Sequence, residues 1–146
     1  MYTKPICYLS GPITGRANAK EIFDNTASVL TGAGWVVLNP CVLPMGMTQE
    51  QYMHIDLAML DKADVMILLD GYETSRGVSI ELAHAAKEDK PVLRLVEAMC
   101  LDVTMERSDT IRRAVERMRH EIHEKERKAR KGCRRGPSKQ SLTAAD

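Results

Sequence analysis

Glu81 closes the segment Ser75-Arg76-Gly77-Val78-Ser79-Ile80-Glu81, where a polar loop turns into a helix. A carboxylate within roughly the first helical turn feels the positive helix terminus, which keeps it ionised. An ionised carboxylate can attack an electrophilic carbon, such as the anomeric carbon of a sugar. Acidic residues also favour first turns for stability alone, so the assignment needs companions. Tyr8 lies on an apolar segment just before a turn, with a hydroxyl able to reach the same edge. Asp56 interrupts the apolar run Ile55, Leu57, Ala58 and Met59 inside a second helix. Two carboxylates near one pocket can divide glycosyl transfer, one attacking and one handling the leaving group's proton. A solvated place on the helix face is the plainer alternative for Asp56.

Ser10-Gly11-Pro12-Ile13-Thr14-Gly15-Arg16 supplies two glycines, two hydroxyls and a guanidinium between a strand and a helix. Backbone N–H groups at a helix start, together with Arg16, make a plausible anion seat. The segment is neither a G-x-G-x-x-G nor a Walker motif. His84, one turn after Glu81, faces it or serves helix packing, and packing is the simpler role. His120-x-x-His123 has metal-compatible spacing but no third ligand nearby, so a solvated face is expected and no metal or cofactor is called for. Met45, Met47, Met53 and Met59 could line a base pocket, although methionine as core filler explains them equally. Cys7, Cys41, Cys100 and Cys133 form no C-x-x-C pair and read as reduced, mostly buried thiols.

These residues need a scaffold, and the hydrophobic pattern describes one. Ile6-Cys7-Tyr8-Leu9, Trp35-Val36-Val37-Leu38, Val65–Leu69 and Pro91–Val96 read as strands, three of them apolar throughout like buried parallel strands. Between them, Ile22, Thr26, Val29, Leu30 and Ala33 recur at helical spacing behind a cap at Asn18. Thr48-x-x-Gln51 opens a second helix with a capping box, and Val78–Glu88 forms a third. The cadence predicts an α/β fold, a Rossmann-like parallel sheet of about four or five strands with flanking helices. Such sheets bind ligands beyond the carboxyl ends of their strands, where the loops 10–17, 39–47 and 70–77 begin.

The 146 residues make one domain, placed at 1–105, followed by a charged helix over 106–131 and a disordered basic tail over 132–146. Ile111, Val115, Met118 and Ile122 give the helix one apolar stripe, suited to docking on the body or on a second subunit. A net charge of +1 hides an asymmetry of −5 over residues 1–105 and +7 over 106–139. The basic tail lacks interleaved aromatics, so nucleic acid is not the expected partner. No apolar stretch is long enough to span a membrane, and the N-terminus lacks a signal-peptide core; a cytoplasmic protein is expected.

Taken together, Tyr8-Leu9-Ser10-Gly11-Pro12, Tyr52-x-x-x-Asp56-Leu57 with Ala63-Asp64, and Gly77-x-x-x-Glu81-Leu82-Ala83-x-Ala85 with Lys90-Pro91-Val92 resemble the nucleoside 2-deoxyribosyltransferase superfamily. The likeness is closest to its small bacterial and phage DUF4406 branch and covers residues 6–96 in order and spacing. It implies a flavodoxin-like sheet, a glutamate that attacks C1′ of the (deoxy)ribose at Glu81, a carboxylate near the base at Asp56, and a positioning tyrosine at Tyr8. The transferases of the superfamily carry aspartate six residues before the nucleophile, whereas its nucleotide hydrolases carry serine; this chain has Ser75. The resemblance therefore implies a 5′-monophosphate substrate and hydrolysis, as in deoxynucleoside 5′-monophosphate N-glycosidases. Gly11, Pro12, Ile13, Thr14, Gly15, Arg16, Ser75 and Gly77 would then hold the nucleotide, in a homodimer or higher homo-oligomer. Base exchange between nucleosides, cleavage of NAD, and nucleotide binding without chemistry remain as alternatives.

Overall fold

The computed structural model describes residues 4–101 and 108–133. The chain runs through β1 (Ile6–Ser10), α1 (Ala19–Gly32), β2 (Val36–Leu38), α2 (Gln49–Lys62), β3 (Val65–Leu68), α3 (Arg76–Lys87), β4 (Val92–Arg94), α4 (Leu95–Met99) and α5 (Ser108–Cys133). Short 3-10 turns at Pro40–Val42 and Tyr72–Thr74 follow β2 and β3. Among the described residues the sheet has four parallel strands in the order β2-β1-β3-β4. That order is the flavodoxin-like one without its last strand, and it reverses beside β1 and β3.

Alternation along β1 assigns its side chains to two different cores. Cys7 and Leu9 join Phe23, Leu30, Trp35 and Ala98, the face covered by α1 and α4. Tyr8 joins Leu60, Met66, Leu68, Val78 and Ala85, the face covered by α2 and α3. Ser10 has the parity of Tyr8, and both are buried. The strand thereby aims its two hydroxyls at the helices that carry Asp56 and Glu81.

The local signals hold for α2 and α3 and in part for α1. Thr48 Oγ1 accepts from Gln51 N at 3.1 Å while Gln51 Oε1 accepts from Thr48 N at 3.0 Å, which completes the expected capping box. Ser75 caps α3, and the helix starts at Arg76, two residues before the expected Val78. Asn18 occupies the expected cap position of α1 but makes no side-chain cap hydrogen bond.

The expected strand over Pro91–Val96 is corrected: β4 ends at Arg94 and Leu95 begins α4. A short apolar run does not distinguish strand from helix. Here Glu97 decides, because its carboxylate accepts from Arg94 N at 3.3 Å and Arg94 Nε at 2.7 Å.

α5 runs over Ser108–Cys133 in the charged C-terminal region, and Val115 is buried against the α1/α4 core. The side chains of Ile111, Met118 and Ile122 and the tail from residue 134 lie outside the described residues. No helix among the described residues is long and apolar enough to cross a membrane.

Candidate active site

The site forms where β1 ends between α2 and α3. Tyr8 is fully buried, Ser10 is 1% exposed, and Asp56 and Glu81 are 8% and 6% exposed. Tyr8 and Ser10 come from one strand face, Asp56 from the third turn of α2, and Glu81 from the second turn of α3. All three residues expected to act in catalysis therefore come together, and Asp56 is not on a solvated helix face.

One element of the expectation is corrected. Glu81 is the sixth residue of α3, and the first turn of that helix holds no acidic residue. The terminal field fades within a turn. Burial then dominates and pushes Glu81 up to about 7, with repulsion from Asp56 adding to it and Tyr8 and Ser10 opposing it through their hydroxyls. Burial alone lifts Asp56 to about 6. The phenol of Tyr8 rises well above its ordinary value, first through burial and then through the charges of Glu81 and Asp56.

Tyr8 Oη, Ser10 Oγ, Asp56 Oδ1 and Glu81 Oε2 are buried without a well-formed hydrogen bond. The two hydroxyls adjoin the Glu81 carboxylate closely enough to favour its charge but are not aligned into closed bonds with it. Clustered orphan polar atoms of this kind, at the carboxyl edge of a parallel sheet, make this the candidate site.

The first loop packs closely on the end of β3. Gly11 is buried, and a Cβ there would stand 2.9 Å from Leu69 Cβ, so only glycine lets the loop approach the end of β3. Arg16 reaches across to the loop after β3, where Nη1 donates to the Asp70 carbonyl at 3.4 Å. Its Nη2 would lie 3.0 Å from any Cβ on Gly71, whose φ of +86° already favours glycine. Pro12 is half-buried, and Ile13, Thr14 and Gly15 are exposed on the same loop. At the start of α3, Ser75 Oγ accepts from Val78 N at 3.3 Å, leaving its proton available to a ligand. Gly77 is half-buried, and a Cβ there would meet Met53 Cε at an ordinary 3.7 Å, so neither space nor backbone demands glycine.

Other candidates settle elsewhere. His84 faces α2, with Nε2 2.6 Å from Asp61 Oδ1, and acts in helix packing. Met47, Met53 and Met59 are half-buried, but Met45 is 96% exposed and is not core filler. Cys7 is buried and Cys41 half-buried, whereas Cys100 is exposed, against the expectation of mostly buried thiols. His120 and His123 are exposed on α5. They line a groove of about 1050 Å³ between α5 and the opposite edge of the sheet, near Asp64 and Lys90. That groove carries both signs of charge and is remote from the buried carboxylates. Among the described residues no cluster of three or more His, Cys, Asp or Glu could hold a metal ion.

Sequence reasoning overlooked two residues. The sequence places Ser10 in the segment between strand and helix, although its spacing of two from Tyr8 on a strand was the signal that it faces Glu81. Cys41 comes within electrostatic range of Tyr8 and Asp56, and only the tertiary fold brings it there.

Residues 5–94, which hold β1 to β4 and every site residue above, match the family described as "Domain of unknown function (DUF4406)". A protein of Thermofilum pendens (strain DSM 2475 / Hrk 5) named "Putative 2'-deoxynucleoside 5'-phosphate N-hydrolase 1" is 30% identical over 113 residues, covering 68% of this chain and 78% of that protein. The likeness first carried by Tyr8, Asp56 and Glu81 thus extends through the whole α/β sheet, and this chain belongs to the deoxyribosyltransferase-like DUF4406 family.

Proposed function

We propose that the protein hydrolyses the base–sugar bond of a (deoxy)nucleoside 5′-monophosphate, with Glu81 as nucleophile. The observation that carries this reading is the pair of buried carboxylates, Asp56 and Glu81, raised to about 6 and about 7 beside the Tyr8 hydroxyl. The name of the Thermofilum pendens relative supports the same substrate class.

In the first step a Glu81 oxygen bonds to C1′ while the C1′–N bond breaks and its electron pair leaves with the base. Asp56 gives its proton to the departing base. In the second step water attacks C1′ and the ester to Glu81 breaks, returning the carboxylate. The Asp56 carboxylate takes the proton of that water. Tyr8 holds Glu81 in line, and its buried hydroxyl remains protonated throughout. Gly11 to Arg16 and the Ser75 hydroxyl receive the phosphate at the starts of α1 and α3.

The order of the two carboxyl groups needs explanation, because Glu81 holds its proton more firmly than Asp56 although the roles ask for the reverse. Interacting groups titrate as a pair, and the reactive form is the pair carrying one proton. That form is most populated between the two values, about 6 and about 7. Less protein surrounds Asp56 than Glu81 despite their similar exposure. A base settling over Asp56 desolvates it further and moves the proton toward it.

The test is base release from a panel of 5′-monophosphates and nucleosides by the wild type and Glu81→Gln. The amide keeps the shape but is a poor nucleophile, so the rate falls by roughly a thousandfold or more. Retention of more than about a tenth of the rate would remove Glu81 as nucleophile. Adding a second free base to the assay distinguishes hydrolysis from base exchange.

A further inference from the structure

Ser10 is the last residue of β1 and pairs with Leu68 of β3, the point at which the sheet meets the site. It is 1% exposed, and its Oγ has no well-formed hydrogen bond. Its neighbours on β1 explain why it points there: Tyr8 has the same parity and faces the same two helices. A buried serine serving only as a turn former would be expected to satisfy its hydroxyl on nearby backbone. This one adjoins the Glu81 carboxylate instead.

We propose that Ser10 is a positioning residue for Glu81, its hydroxyl joining that of Tyr8 in donating to the carboxylate when substrate is bound, so that the attacking oxygen is held charged and in line. The role rests on the reading of Glu81 as nucleophile and adds a second hydroxyl to it. A carboxylate that gains a donor keeps its charge at lower pH, and burial at this site works in the opposite sense. The effect of Ser10 on Glu81 is in that direction, as is that of Tyr8. Among the described residues, the remaining titratable group facing Glu81 is Asp56 on α2, which opposes its ionisation; Cys41, in the turn after β2, is within electrostatic range of Tyr8 and Asp56. Ser10 and Tyr8 are therefore the groups that offset both burial and Asp56.

The test titrates the Glu81 side-chain carboxyl by ¹³C NMR in the wild type, Ser10→Ala and Ser10→Thr, alongside kcat and KM for a 5′-monophosphate across pH. In Ser10→Ala the Glu81 midpoint rises by about one unit, the amount a tenfold change in ionisation represents. The rate optimum moves to higher pH, kcat at pH 6 falls roughly tenfold, and KM stays within about twofold. Ser10→Thr keeps the hydroxyl and restores the wild-type midpoint. A Ser10→Ala midpoint within about 0.2 units of wild type overturns the proposal, even if stability or overall rate has fallen. The NMR readout does not depend on turnover. Failure of Glu81→Gln to abolish base release would count against the nucleophile, whereas an unmoved midpoint counts against Ser10 alone.

Discussion

Against α1 and α4 the sheet lays Cys7, Leu9, Val65, Ile67 and Leu93 on Phe23, Leu30 and Trp35. The one buried side-chain polar atom left unpartnered on that face, among the described residues, is Trp35 Nε1. Against α2 and α3 the alternate residues of the same strands pack on Leu60, Val78 and Ala85. Here four polar atoms lie buried and unpartnered, on Tyr8, Ser10, Asp56 and Glu81. Each such group costs about 1–3 kcal/mol. One sheet therefore separates two tasks: the first face holds the fold together, and the second gives up stability to keep charged groups out of water. The separation follows from the two-residue period of a strand, which sends neighbours such as Tyr8 and Leu9 to opposite cores.

If the faces divide the work in this way, damage to the first should cost stability and leave chemistry intact. Leu30 is fully buried on the α1/α4 face. Leu30→Ala should destabilise the protein by about 2–5 kcal/mol, read from denaturant unfolding, with kcat per folded molecule unchanged. A matching fall in kcat would show that the two faces are coupled.

The second face should behave in the opposite way. Native Glu81 keeps its proton up to about 7, while the unfolded chain releases it in the ordinary carboxylate range. Between those values the native state binds more protons, so wild-type stability falls as pH rises. Glu81→Gln removes that loss. Relative to wild type it should gain up to about 3 kcal/mol between pH 4 and pH 8, while losing base release. Thermal melts of both proteins across that range supply the check, and parallel stability curves would contradict a buried, proton-holding Glu81.

The smallest change in stability should come from Ser75→Asp. Aspartate caps a helix about as well as serine, so the fold should change by less than about 0.5 kcal/mol. Its charge, however, would stand where the phosphate is placed. Two unit charges about 4 Å apart repel by roughly 4 kcal/mol at an effective dielectric of 20. The ratio of kcat/KM for a 5′-monophosphate to that for its nucleoside should fall by at least about a hundredfold. An unchanged ratio would remove Ser75 from the 5′ end of the substrate.

The sequence by itself determined the alternation of strands and helices, the capping box at Thr48, the candidate site residues Tyr8, Asp56 and Glu81, and the family. These rest on local rules: apolar period, turn residues and short-range hydrogen bonds read within a few positions. The boundary between β4 and α4 escaped those rules, because the short run Val92 to Val96, apolar except for Arg94, fits either conformation and a side-chain bond from Glu97 decides it. Only the tertiary structure decided how Glu81 is charged. The local rule places an acid near a helix start and expects it ionised; the fold closes Tyr8, Ser10 and Asp56 around it and burial reverses the sign. The same closure drew Ser10 into the site, brought Cys41 within electrostatic range of it and turned His84 toward Asp61. Desolvation and charge coupling sum over neighbours distant in sequence, so they exist only once the strand order β2-β1-β3-β4 has set those neighbours side by side.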